Sequence, residues 1–141
     1  LIDFFNKQTS KLAPYAPLFI RLAFGFHLIQ YRYAEVFALT VASGNADWLR
    51  SMGMPFPYFM SWLNILAEFL GGLSFIIGFK VRIFAVALII NFVVALLLVH
   101  LNNPYKESFE AIQLLAVSSF FLFSGAGKLS LDQLIRQRTN A

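Results

Sequence analysis

Four long apolar blocks dominate the chain, and polar residues fall between them or at isolated positions inside them. The blocks run from about Tyr15 to Val41, Pro57 to Phe79, Val81 to Leu101 and Phe109 to Ser124. A helix rising about 1.5 Å per residue needs roughly 20 residues to cross the hydrocarbon of a bilayer. Three blocks have that length, and the fourth approaches it once Glu107–Glu110 extend it as helix. The pattern predicts an all-α integral membrane four-helix bundle, forming one domain over residues 1–141. A soluble helical core with the same blocks would need a large polar shell, which this chain lacks.

The breaks between blocks fix the connections. Pro14 and Pro17 sit where proline suits a helix start. Upstream, Phe4 and Phe5 lie in a mixed stretch suited to a short interfacial entry segment. Residues 42–56 read as the longest linker, with Gly44, Asn45, Asp47, Gly53 and Pro55. Trp48, Phe56, Tyr58 and Trp62 cluster there, as aromatic residues do at a membrane interface. The turn at Gly78–Lys80 is so short that the second and third helices must be antiparallel neighbours. Asn102, Asn103 and Pro104 make the third turn. Gly125 and Gly127 end the fourth block, and a short polar-faced helix follows from Ser130-Leu131-Asp132 to Arg136 and Arg138.

Composition strengthens this picture. The chain is 59% hydrophobic and 13% charged, against roughly 25% charged for a typical soluble domain. Its net charge of +4 is explained by topology and needs no nucleic-acid partner. Lys7, Lys11, Lys80, Arg82, Lys128, Arg136 and Arg138 share one side, whereas Arg50 and Lys106 lie on the other. The positive-inside rule assigns the first side, with both termini, to the cytoplasm. The first segment is mostly polar and its apolar block lacks a small-residue cleavage pattern, so no signal peptide is expected. The sequence has no cysteine, which excludes thiol exchange and thiolate-bound clusters within the chain. Two histidines, His27 and His100, are too few for a metal site without carboxylates, and no metal site is expected.

Ionisable residues inside a span are costly, about 2.5–3.5 kcal/mol at mid-membrane on insertion scales, and they usually face the bundle interior in pairs. Arg32 and Glu35 fall in the outer half of the first helix and Asn64 in that of the second, with Glu68 near mid-membrane. His100 ends the third helix, and Glu110 and Gln113 begin the fourth. All four helices thus bring polar groups to the outer half. The candidate pocket is Arg32, Glu35, Glu68, His100 and Glu110, with Arg21, His27, Tyr31, Asn64 and Gln113 as secondary members. It is either an outward-facing site for a small ligand or partner, or an ion-pair network that holds the bundle together. Arg32 and Glu35 are spaced to neutralise each other. His27, Tyr31 and Glu35 share a face at i, i+4 and i+8, which suits a hydrogen-bonded interior stripe or a proton path. Arg21, near the inner surface, either snorkels to headgroups or reaches Glu68.

Several stretches resemble the DoxX family of small membrane proteins. They are Arg21-Leu22-Ala23-Phe24-Gly25, Ala67-Glu68-Phe69-Leu70-Gly71-Gly72, Val99-His100-Leu101, Glu110, and Gly125-Ala126-Gly127-Lys128-Leu129-Ser130-Leu131-Asp132. They follow the family's order from about Pro17 to Ile135. The resemblance implies a four-helix membrane bundle in a bacterial or archaeal cytoplasmic membrane. It also implies association with redox systems of the thiosulfate:quinone oxidoreductase small-subunit type. On that basis the chain is expected to be a small subunit of a quinone-linked redox system of the cell envelope, with quinone as the possible cofactor and other membrane or periplasmic subunits as partners. The alternative is a non-catalytic accessory or anchoring subunit of a larger complex. Where the family often carries a His-Gly pair and a lysine late in the first helix, this chain has Tyr31-Arg32 and Glu35. The lysine-to-glutamate exchange reverses a charge, so no role resting on that lysine is carried over.

Overall fold

The computed structural model describes residues 6, 9–38, 41–98, 101 and 104–139. A turn of 3-10 helix at Ala13–Tyr15 leads into α1 (Ala16–Phe37), and α2 (Val41–Ser51), α3 (Pro57–Ile77), α4 (Val81–Leu98), α5 (Tyr105–Ser124) and α6 (Leu131–Thr139) follow. No strand occurs among the described residues. Helices α1, α3, α4 and α5 form the bundle. α1 packs most closely on α3, and α4 on α5; α3 also packs on α4, and α1 meets α5 at only a few places. α2 lies against α3.

Most buried positions along each helix recur in steps of three and four residues. On α1 they are Arg21, Gly25 and Leu28; on α3 Ser61, Ile65, Glu68, Gly71, Gly72, Ser74 and Phe75, where small residues widen the buried stripe; on α4 Val81, Ala85, Leu88 and Phe92; on α5 Ser108, Ala111, Leu114, Ser118 and Phe121. This is the seam spacing of helices wound around a shared axis. The outward faces are no more polar than the seam: Leu63, Leu66, Leu70, Ile83, Ile90, Val94 and Leu97 are all exposed. The interior meanwhile holds Arg21, Ser61, Glu68, Ser74, Ser108 and Ser118. A helix that is apolar on its outer surface and polar in its seam is suited to lipid. Three helical stretches, Thr9–Phe37, Pro57–Ile77 and Val81–Leu98, are long and apolar enough to cross a membrane. α5 has 20 residues, but Lys106, Glu107, Glu110 and Gln113 make its first turns polar.

Two local devices set the geometry. α1 and α3 cross at Gly25 and Gly72, where a Cβ on either glycine would stand 2.9 Å from the carbonyl oxygen of the other. The backbones therefore meet directly, an approach that any larger side chain blocks. The α3–α4 turn depends on Gly78, at φ +74°, whose N–H donates to the Ser74 carbonyl at 2.8 Å. Asp132 of α6 then caps α4, accepting from the Lys80 N–H at 2.7 Å and the Val81 N–H at 3.2 Å. The carboxylate satisfies amides that a helix start leaves unpaired.

One connection differs from its expected form. The linker expected over residues 42–56 is helical through Ser51. Its Gly44, Asn45 and Asp47 read locally as loop residues, but tertiary contacts supply what propensity does not. Ala46 is fully buried, and Asn45 Nδ2 donates to Ser61 Oγ at 3.1 Å.

Candidate functional site

The polar residues of α1, α3 and α4 converge at the end of the bundle covered by α2, opposite the end where α1 begins and α6 lies. Arg32 is the centre. Its Nε donates to Glu68 Oε2 at 2.8 Å and one terminal nitrogen to Glu35 Oε2 at 2.6 Å. The other terminal nitrogen donates to Asn64 Oδ1 at 2.9 Å and Glu68 Oε1 at 3.3 Å. The guanidinium thus grips Glu68 with two parallel bonds, the fork geometry that makes arginine–carboxylate pairs strong. Asn91 Nδ2 completes Glu68 by donating to its Oε1 at 3.0 Å, and Asn64 Nδ2 donates to Asn91 Oδ1 at 3.2 Å. Glu68 is 4% exposed. The arrangement is a nearly closed polar knot in which one cation is shared by two carboxylates.

A second pair lies on the seam between α1 and α5. His27 Nε2 and Glu110 Oε1 are 2.8 Å apart, and both side chains are about half exposed (47% and 52%). His27 lies five residues before Arg32, about 7.5 Å lower along the helix. Tyr31 links the two groups. Its ring stacks on His27 with centroids 6.2 Å apart, and the Arg32 guanidinium carbon stands 4.9 Å from the centroid of the same ring. The stripe of His27, Tyr31 and Glu35 therefore divides: His27 turns to α5, while Glu35 turns back to Arg32.

Between the knot and the pair is a cleft of about 640 Å³, within the size range of small-molecule sites. Arg32, Glu35, Asn64 and Glu68 form one wall, and Phe92, Ala111, Leu114, Glu107 and Glu110 the other. Asn45 and Trp48 of α2 close over it. An adjoining cavity of about 150 Å³ shares Asn45, Trp48 and Asn64 and adds Met52, Met54, Met60 and Leu98. Methionine and tryptophan make this extension apolar and adaptable. The site thus has charged and amide groups at one end and a soft apolar recess beside them. Among the described residues no three His, Cys, Asp or Glu side chains group as metal ligands would.

Of the residues singled out from sequence, the structure brings Arg32, Glu35, Glu68 and Asn64 into one network and pairs His27 with Glu110. Gln113 is exposed on α5 and outside the cleft lining. His100 lies outside the described residues. Arg21 does neither of the things expected of it. It is 1% exposed, and its terminal nitrogens donate to the carbonyls of Ala126 at 2.6 Å and Leu129 at 3.1 Å. It pins the C-terminal loop from inside the bundle and does not approach Glu68. Asn91 and the α2 residues Asn45 and Trp48 were not foreseen as members. Asn91 was visible as the sole interior polar residue of its block, but nothing in the local sequence tied it to Glu68.

A multi-pass helical bundle with a charged knot in its interior and an apolar outer surface defines a small membrane protein. The DoxX family profile matches residues 16–101, more than half of the chain, and the chain belongs to the DoxX family. That match ends just beyond α4; α5 and the glycine-rich C-terminal motif lie outside it. No characterised protein and no solved structure matches the chain.

Proposed function

We propose that the chain is a small membrane subunit of a quinone-linked redox system, with the cleft beneath α2 receiving the quinone headgroup. The observation that carries the reading is one cleft lined both by the Arg32–Glu68–Glu35 network and by Glu110, whose hydrogen-bond partner His27 stands half exposed just outside the lining. Reduction of a quinone consumes two electrons and two protons. Glutamate and histidine are residue types that serve as proton donors and acceptors in acid–base chemistry, and Arg32 and Asn64 offer donors to a quinone oxygen. The chain has no cysteine, so the electrons would come from a partner subunit or from a co-bound reductant. The pair sits between α1 and α5, which meet at only a few places, and this gives a lipid-soluble ligand a lateral way in. The same reading sets the loop-side cleft on the outer face and both termini in the cytoplasm, following the distribution of lysine and arginine.

Trp48 on the cleft makes the binding step measurable. In a Trp62→Phe variant Trp48 is the remaining tryptophan, and a short-chain quinone added to nanodisc-embedded protein is expected to quench it saturably. Arg32→Gln and Glu110→Gln are expected to weaken that quenching about tenfold or more, consistent with loss of a hydrogen bond to a charged group. Linear, non-saturating quenching that is identical in all variants would reject the site.

A second reading, an accessory subunit that anchors a larger complex, is favoured by the apolar residues exposed around the same end. Trp48, Met52, Phe56, Tyr58 and Phe59 are each between 42% and 75% exposed. It requires a partner that survives mild extraction at fixed stoichiometry, and a protein that extracts alone argues against it.

A further inference from the structure

The larger cleft of the molecule, about 840 Å³, is at the opposite end, between the start of α4, the end of α5 and the helix α6. Lys80, Arg82, Lys128 and Arg136 line it. Among the described residues none of these cations is in an ion pair; the pairs present are His27–Glu110, Arg32–Glu35, Arg32–Glu68 and Arg50–Asp47. The one carboxylate in the cleft is Asp132, and both of its oxygens are engaged by the amides of Lys80 and Val81. Four cations therefore face a single carboxylate that is already satisfied.

The wall of this cleft is held in place. Arg21 fixes the loop through the carbonyls of Ala126 and Leu129, and the Lys128 N–H donates to the Pro14 carbonyl at 3.3 Å. Arg82 donates to the Phe123 carbonyl at 3.3 Å and lies against Gly125. The cations are thus carried on a prearranged frame, which lowers the ordering cost of binding. α6 adds an independent observation. Its Asp132, Gln133, Arg136 and Gln137 face the cleft, whereas Leu131, Leu134 and Ile135 are 38–57% exposed. A short helix with one polar face and one exposed apolar stripe is suited to a membrane interface.

The geometry points to a binding site for a phosphate-bearing anion in the cleft formed by Lys80, Arg82, Lys128 and Arg136. Basic pockets between membrane helices take lipid phosphates, and the apolar stripe of α6 beside this one favours a phospholipid headgroup, with its acyl chains along the bundle. The site is independent of the quinone reading, since it lies at the other end of the helices and shares no lining residue with that cleft.

Native mass spectrometry of the purified protein in mild detergent tests this, with equimolar phosphatidylglycerol and phosphatidylcholine as probes. One phosphatidylglycerol per chain is expected to be retained in preference to phosphatidylcholine. Retention is expected to fall about fivefold for each cation removed and about thirtyfold in Arg82→Gln/Lys128→Gln. Lys106→Gln, at the opposite end, is expected to leave it unchanged. Arg136→Gln alone, on the exposed face of a terminal helix, gives the smaller loss should the double variant fold poorly. Millimolar inorganic phosphate then separates the sources. Displacement of the lipid with a rise in melting temperature assigns the cleft to free phosphate, and no displacement assigns it to the headgroup. Equal retention of both lipids without any response to inorganic phosphate, or unchanged retention in the charge variants, overturns the proposal.

Discussion

Arg32 answers two carboxylates at once, and this asymmetry makes the members of the knot unequal. Removing the Glu68 charge leaves Arg32 matched to Glu35, a neutral pair that still has Asn64 beside it. Removing the Arg32 charge leaves two carboxylates, Glu68 buried and Glu35 partly so, without a cation and with only amides for company. Breaking a buried pair by deleting one partner costs about 3–5 kcal/mol, because the survivor is uncompensated. Arg32→Gln is therefore expected to cost that much, and Glu68→Gln distinctly less, read as the shift in unfolding midpoint in a mixed-detergent titration. Equal losses would mean that Glu35 does not share the arginine. The i, i+3 spacing made the Arg32–Glu35 bond readable from sequence, and matching depths brought Asn64 and Glu68 near. Depth alone did not choose partners. His27 was grouped with Glu35 along one helix face, yet it pairs with Glu110 across the α1–α5 seam. For Arg21 the sequence offers snorkelling to headgroups or a reach to Glu68, and neither is found. Its partners are backbone carbonyls more than 100 residues away, and carbonyls leave no trace in a residue pattern.

At the level of elements, the crossing of α1 and α3 rests on two glycines that touch through their backbones. A methyl group at Gly72 would come within 2.9 Å of the Gly25 carbonyl oxygen and 3.0 Å of Leu28 Cβ. Neither is the end of a flexible side chain, so the helices must separate. Gly72→Ala is expected to destabilise the bundle by about 1–3 kcal/mol, the usual cost of overpacking. Gly44 in α2 is the control, because a Cβ there meets nothing within 4 Å. Gly44→Ala is expected to raise stability by up to about 1 kcal/mol through helix propensity alone. Thermal midpoints of the two variants in the same detergent check both signs. The long helices were legible because a lipid-facing surface demands unbroken apolar runs. α2 was not, since its Gly44, Asn45 and Asp47 are poor helix formers and its helicity comes from docking on Ser61. The end of the first helix differs from the apolar run by a few residues: α1 stops at Phe37, short of the run that contains it.

For the molecule as a whole, the question is whether α5 crosses the bilayer despite its polar first turns. Its own composition does not decide this, but its connections do. α6 follows α5, and within α6 the Asp132 N–H donates to the Gly78 carbonyl at 2.9 Å, while the Asp132 carboxylate caps α4. The segment after α5 is therefore in contact with the α3–α4 turn, and the two must lie on the same side of the membrane. α5, which starts at the far end beyond α4, has to traverse the thickness to bring α6 there. Its early charges are accommodated because Glu110 pairs with His27 and Glu107 lines the cleft. A chain with three crossings would leave Ser51 and Thr139 on one side, whereas four crossings separate them. The absence of cysteine gives a clean background for the measurement. Ser51→Cys and Thr139→Cys, each on an exposed residue, are treated in intact cells with a membrane-impermeant maleimide. Labelling of Ser51→Cys from outside and of Thr139→Cys only after permeabilisation is expected from four crossings with the termini inside. Labelling of both from the same side would mean that α5 does not span, and that the Gly78–Asp132 contact does not form in the membrane. The reversed pattern would keep the four crossings and invert the orientation, placing the basic cleft outside and the quinone cleft within.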